Sequence, residues 1–205
     1  VTFPDFPSFD KIMVIRHAEK PLTPDGLGQV ASFGLLETGE HSQYGLTVRG
    51  WQRAGGLAIL FAPEGAKFRP RSLMTPTTIF ASAIGPRSWS RRMQLTIGPL
   101  QQKLGSDVAV NTNFLKGDED QMVTTALKSA GAVLICWAHE GLPLIGARIF
   151  GRAQGIPKVW PEQRYDLVWV FDRRASPPGW NFQQVPQMLL AGDSADPIAC
   201  TPTMP

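Results

Sequence analysis

The sequence predicts an α/β domain with a mainly parallel central sheet, and three observations carry that expectation. First, short continuous apolar runs recur at residues 12–15 (IMVI), 78–81 (TIFA), 132–137 (AVLICW) and 167–171 (LVWVF). Such runs read as strands buried on both faces, the habit of parallel sheets. Second, longer segments with helical apolar spacing stand between them, and strands alternating with helices argue an α/β layer architecture. Third, 205 residues with 43% hydrophobic and 18% charged residues suit one folded domain spanning 1–205, in which roughly 70% of the unfolded surface is buried. The expected architecture is a three-layer sandwich.

In chain order, residues 1–10 are rich in proline and aromatics and read as a packed arm. After the first strand, residues 21–28 form a turn-rich loop. Thr47 is placed to open a helix in which Trp51, Ala54, Leu57, Ala58 and Phe61 share a face, and Pro63 stops it. A loop containing Gly85 and Pro86 follows the second strand. Residues 90–104 carry a stripe of Met93, Thr96, Ile97, Leu100 and Leu104, with Pro99 expected to kink the helix. Residues 107–110 read as a weak strand. Asp118 with Gln121 resembles a capping box for a helix to about residue 129. Pro143 suits the first turn of a helix ending near Phe150. Residues 183–190 follow a possible edge strand and receive no role. The tail from Gly192 is polar and rich in small residues, so residues 192–205 are expected to be flexible.

The bulk numbers exclude several classes. The formal net charge of +3 favours anionic ligands but is too small to imply nucleic acid. Two isolated cysteines, Cys136 and Cys200, make neither a zinc site nor a disulfide framework. No apolar run is long enough to span a bilayer. No signal-peptide pattern opens the sequence, so the expectation is a cytoplasmic protein with no membrane partner. Pro143 stands where an H-E-x-x-H zinc site would need its second histidine. Neither a P-loop nor a G-x-S-x-G elbow is found. Neither a metal nor a cofactor is expected.

Ligands of open α/β sheets bind beyond the carboxyl ends of the strands. Those positions hold Arg16, His17, Glu19 and Lys20 after the first strand, and His139 and Glu140 after the apolar run 132–137. Ser82 and an arginine-rich loop with Arg87, Arg91 and Arg92 follow TIFA. Two of the chain's three histidines thus fall at strand ends beside cations. Guanidinium forks bind phosphoryl oxygens in bidentate fashion. A neutral imidazole is a competent nucleophile, and Arg16 beside His17 lowers its pKa and keeps it neutral. The cluster therefore suits phosphate chemistry.

Four ordered blocks resemble the histidine phosphatase, or phosphoglycerate-mutase-like, superfamily. Residues 14–19 (VIRHAE) resemble its R-H-G/A signature. Residues 46–54 (LTVRGWQRA) are similar to its L-T-x-x-G-x-x-Q-A helix start, read with one extra residue before the alanine. Residues 92–96 (RMQLT) are similar to R-x-x-x-T, and 134–140 (LICWAHE) to the strand that carries the second histidine. The resemblance implies a phosphoglycerate-mutase-like fold. It also implies a phosphatase acting on a phosphomonoester, with His17 becoming phosphohistidine and Arg16, Arg92 and His139 holding the phosphoryl group. Arg87, one residue out of the usual spacing, and Arg91 and Lys20 are candidate substrate contacts. Glu140 is the expected proton donor, with Glu119 and Glu19 as alternatives. A small phosphorylated substrate or a phosphoprotein is the implied partner. The competing expectations are a phosphomutase and a non-catalytic phosphate-ligand-binding or scaffold protein on the same fold.

Overall fold

A computed structural model describes residues 11–21, 33–65 and 70–200. The expected packed arm at 1–10 and most of the 21–28 loop lie outside the described residues. Strand β1 (Lys11–Arg16) is followed by helix α1 (Val48–Phe61), β2 (Thr78–Ala81), α2 (Arg92–Leu104) and β3 (Ala109–Asn111). Then come α3 (Glu119–Ala126), β4 (Ala132–Trp137), α4 (Leu142–Phe150), β5 (Leu167–Arg174) and β6 (Gly179–Pro186). The six strands form one sheet in the order β3-β2-β4-β1-β5-β6. The first four in chain order pair in parallel, and β5 and β6 pair antiparallel. The mainly parallel sheet flanked by helices is thus observed, with an antiparallel pair at one edge.

The strands form where burial on both faces demands apolar residues: every residue of β1 and β4 is buried. The connections β1-α1-β2 and β2-α2-β3 run towards one edge, whereas β3-α3-β4 returns. Right-handed crossovers then place α1 and α2 on one face and α3 on the other. The packing agrees: α1 lies against α2, and α3 against α4. The direction change falls between β1 and β4, where an α/β sheet opens a crevice.

The helix ends follow local chemistry. Thr47 caps α1, its hydroxyl accepting from Gly50 N–H at 3.1 Å. Proline opens the first turn of α4, and Gly151 closes the helix in the left-handed conformation. Pro99 lies inside α2, which continues through it. The capping box at Asp118 is not made. Its carboxylate instead accepts from Leu115 N–H and from Arg87, and α3 ends at Ala126. Residues 183–186 belong to the edge strand β6.

Residues 193–200, expected to be flexible, are tied to the rest of the fold by hydrogen bonds. Asp193 accepts from Leu189 N–H and Leu190 N–H, and Ser194 N–H donates to Asp166. The Gln184 amide brackets Ile198, donating to its carbonyl at 2.8 Å and accepting from its N–H at 3.0 Å. Ile198 joins the hydrophobic core. Composition could not show the contacts to Asp166 and Gln184, because each depends on a group distant in sequence. Residues 201–205 lie outside the described residues.

Candidate active site

Strand register builds the site. Ile15 pairs with Cys136 across β1 and β4, and Ala81 pairs with Cys136 across β2 and β4. The residues that follow, from Arg16 to Ala18, Ser82 and Ala138 to Glu140, therefore emerge at one level. The His17 N–H extends the ladder by one bond, to the Trp137 carbonyl at 3.0 Å.

The turn after β1 is held by α1 and α2. Ala18 N–H donates to Thr96 Oγ1 at 2.8 Å, and Thr96 Oγ1 donates to the Arg92 carbonyl at 2.7 Å. The Glu19 carbonyl accepts from Thr47 N–H at 3.0 Å and lies within 3.3 Å of its hydroxyl. A Cβ added to Gly50 would stand 2.6 Å from that carbonyl. The glycine of the L-T-x-x-G block thus lets α1 touch the backbone after the histidine. Ala18, Leu46, Ala54 and Leu95 fill the space beneath.

His17 is buried, and its Nδ1 lies 2.7 Å from the Ala18 carbonyl. A carbonyl only accepts, so Nδ1 carries the proton and the neutral ring keeps its lone pair on Nε2. Burial, then Arg16, lowers the imidazole pKa well below its ordinary value. The hydrogen bond to Ala18 opposes this, and Arg92 and His139 add to the lowering. The ring is therefore a neutral base in mildly acidic solution.

A polar cleft of about 40 Å³ opens at His17. Cations line it at Lys20, Arg92 and Lys116, hydroxyls at Ser88 and Ser90, and the second imidazole at His139. Glu140 is the one carboxylate among these lining residues. Arg92 donates to the Gln43 carbonyl at 3.0 Å, but its buried Nε has no hydrogen-bond partner among the described residues. Burial lowers the pKa of Arg92 and of Arg16. His139 Nδ1 is 3.2 Å from Glu140, and burial followed by Arg16 lowers its pKa. Burial acts to raise the Glu140 carboxyl. Its own backbone N–H, Lys116 and His139 outweigh that and hold it below the usual range.

Arg16 is fully buried and does not line the cleft. Its Nη1 donates to the carbonyls of Pro161, Glu162 and Arg164, and its Nη2 to Tyr165 Oη at 3.1 Å. The guanidinium lies 3.8 Å from the Tyr165 ring centre. Its Nε has no partner among the described residues.

The other expected residues divide. Lys20 lines the cleft and pairs with Glu162 at 2.6 Å. Arg87 forms an exposed pair with Asp118 and does not line the cleft, so its candidacy as a substrate contact is withdrawn. Arg91 pairs with Glu37 on the wall of a separate cavity of about 550 Å³ between α1, α2 and residues 35–39. Glu119 is buried with Oε1 accepting from Trp137 Nε1 and Gly117 N–H, and Glu19 is paired with Arg53. Both alternative acids are therefore engaged in structural contacts away from the cleft. In the 46–54 block Gln52 is exposed and Arg53 is buried, so Arg53 takes the inward position. Reading Gln52 as the block's glutamine was a one-residue misregister. Sequence reasoning also missed Lys116, Ser88, Ser90 and Tyr165. Only the serines had a signal, flanking Trp89 just before the arginine pair.

Among the described residues no cluster of three or more histidine, cysteine or acidic side chains could hold a metal ion. No helix among them is long and apolar enough to cross a membrane.

No family model and no curated protein sequence matches the chain. Similar solved structures exist. One is the protein histidine phosphatase SixA complexed with tungstate, with a TM-score of 0.49 and 12% identity over 86% of this chain and 97% of that one. A second is a phosphoserine phosphatase mutant from Entamoeba histolytica in complex with phosphoserine, at 0.47 and 12% over 88% and 99%. A third is the alpha-ribazole phosphatase from Shigella flexneri, at 0.46 and 13% over 83% and 94%. These are members of the histidine phosphatase superfamily.

Proposed function

We propose that this chain is a phosphatase of the histidine acid phosphatase type, hydrolysing a phosphomonoester through phosphohistidine on His17. One observation carries the reading. A buried histidine is fixed with its nucleophilic nitrogen unprotonated, beside two arginines that each keep a buried N–H without an acceptor among the described residues. An unpaired buried donor is costly, and an anionic ligand relieves that cost.

In the first step His17 Nε2 attacks phosphorus as the bond to the ester oxygen breaks. Arg92 and His139, at the cleft, stabilise charge on the transferring phosphoryl oxygens, and Arg16 adds its positive charge from behind the cleft wall. Glu140 hands a proton to the departing oxygen. Its carboxyl is held low in the free site, and a phosphoryl dianion beside it raises its pKa towards the donor range. In the second step Glu140 accepts a proton from water, whose oxygen attacks phosphorus and releases His17 and inorganic phosphate. Lys20 and Lys116 at the cleft serve as substrate contacts.

The low Glu140 pKa also favours a second reading, a protein that binds a phosphorylated ligand without turnover. Hydrolysis of p-nitrophenyl phosphate separates the two. Wild type turns over between mildly acidic and neutral pH and His17→Ala does not. Absence of wild-type turnover across that range refutes the phosphatase.

A further inference from the structure

We infer that Arg53 positions the nucleophile, acting through Glu19; the inference rests on His17 being the reacting residue. Arg53 is on the inner face of α1, 2% exposed, and all five of its N–H groups are engaged. Its Nε donates to Glu19 Oε1 and Oε2 at 3.0 and 3.1 Å, and its Nη2 to Glu19 Oε1 at 2.9 Å. The remaining N–H groups reach Asp193 at 2.7 and 3.1 Å and Gln187 at 2.9 Å. The cation thus joins the turn after β1 to the chain that follows β6.

The geometry makes this a positioning contact. His17 is oriented by the carbonyl of Ala18, and Ala18 stands between two pinned neighbours. On one side the His17 N–H is fixed to β4. On the other, Glu19 is tied to Thr47 by its carbonyl and to Arg53 by its side chain. A free carboxylate two residues beyond His17 would pull the turn towards solvent. Arg53 holds it against α1, where Gly50 leaves room for the backbone. A neutral glutamine at this position could neither balance Glu19 nor bind both carboxylates. Arg53 touches no part of the cleft, so its effect passes through the Ala18 carbonyl to the His17 tautomer.

The experiment uses the full chain with Glu19→Ala, Glu19→Gln and Gln184→Ala. Gln184→Ala loosens the clamp on Ile198, away from the cluster, and controls for lost stability. Two readouts apply: kcat with the inhibition constant of inorganic phosphate, and the His17 tautomer by nitrogen-detected NMR. Glu19→Ala is expected to lower kcat about tenfold to a hundredfold, as a small misplacement of a reacting group does. Phosphate inhibition stays unchanged, because the arginines remain. The NMR signal changes from Nδ1–H alone to a mixture of tautomers. Glu19→Gln, which keeps an acceptor, recovers part of both. Gln184→Ala lowers the melting temperature with neither change. The inference is overturned if Glu19→Ala keeps the wild-type tautomer. It is also overturned if Glu19→Ala and Gln184→Ala lose activity in proportion to melting temperature. The NMR arm needs no turnover, so an inactive wild type refutes the phosphatase reading and leaves the positioning contact to be judged by tautomer alone.

Discussion

Arg53 and Arg16 are both buried almost completely, yet their surroundings treat them in opposite ways. Around Arg53 two carboxylates and an amide take up every N–H, and the charge is balanced by Glu19 and Asp193. Those partners, after a burial effect of opposite sign, raise its pKa. Around Arg16 the acceptors are backbone carbonyls and a phenol, its Nε finds none among the described residues, and burial lowers its pKa. Arg92 shares that state, with a buried Nε unmatched. A buried cation whose donors are all matched is a fastener. One with a donor in reserve at the cleft, as Arg92 has, beside a histidine kept neutral, has capacity for an anion that arrives from outside.

The largest effects should separate these two regions. Arg92→Ala is expected to lower kcat/KM about 10²–10³-fold, the usual cost of removing one preorganised donor, with a small change in melting temperature. Arg53→Ala leaves Glu19 and Asp193 with only the half-exposed Arg49 as a cationic partner and should cost about 3–5 kcal/mol in urea unfolding. The comparison breaks if Arg92→Ala is as destabilising as Arg53→Ala and leaves turnover intact. Thr96→Val probes the seam between the regions. It strands the buried Ala18 N–H, and the expected loss is about 1–3 kcal/mol together with lower kcat.

Acidity gives a finer test. Because the His17 pKa lies well below the ordinary 6.5, kcat/KM should hold steady as pH falls through 6.5 and decline only at the lower folded-state value. Stability responds earlier, starting at 6.5 itself. Below 6.5 the unfolded chain binds a proton that the folded His17 refuses, so unfolding free energy falls with falling pH until the folded value is reached. His139 contributes with the same sign. A kcat/KM profile whose acid limb is centred at 6.5 would contradict the neutral, buried imidazole. The smallest effect is expected at Arg87→Ala. It removes an exposed ion pair and should leave turnover and melting temperature unchanged.

Much of the frame was legible in the sequence because burial on both faces writes continuous apolar runs. The strands at 78–81 and 132–137 coincide with such runs, and Thr47 and Pro143 marked helix starts by local chemistry. The convergence of His17 and His139 was legible because strand ends in a parallel sheet share a level, whereas Arg92, at the start of α2, was marked by the R-x-x-x-T block. Side-chain partners across the fold were not. Asp118 could cap a helix or pair with Arg87, and only the loop geometry decides between them. Asp193 sat in a segment whose composition reads as tail, yet its partner is Arg53, far earlier in the chain. The inward turn of Arg53 in place of Gln52 depended on helix register to a single residue, which periodicity alone does not fix.

The most direct test of His17 as the phosphoryl acceptor is to trap the intermediate. Wild type and His17→Ala are mixed with p-nitrophenyl phosphate, quenched in alkali within the first turnover, digested and analysed by mass spectrometry. The expected result is a phosphoryl group on His17 of the wild type, stable in base and lost in acid, and none in the variant. Turnover that persists in His17→Ala, or wild-type turnover with no phosphoryl group on His17 under these conditions, would contradict it.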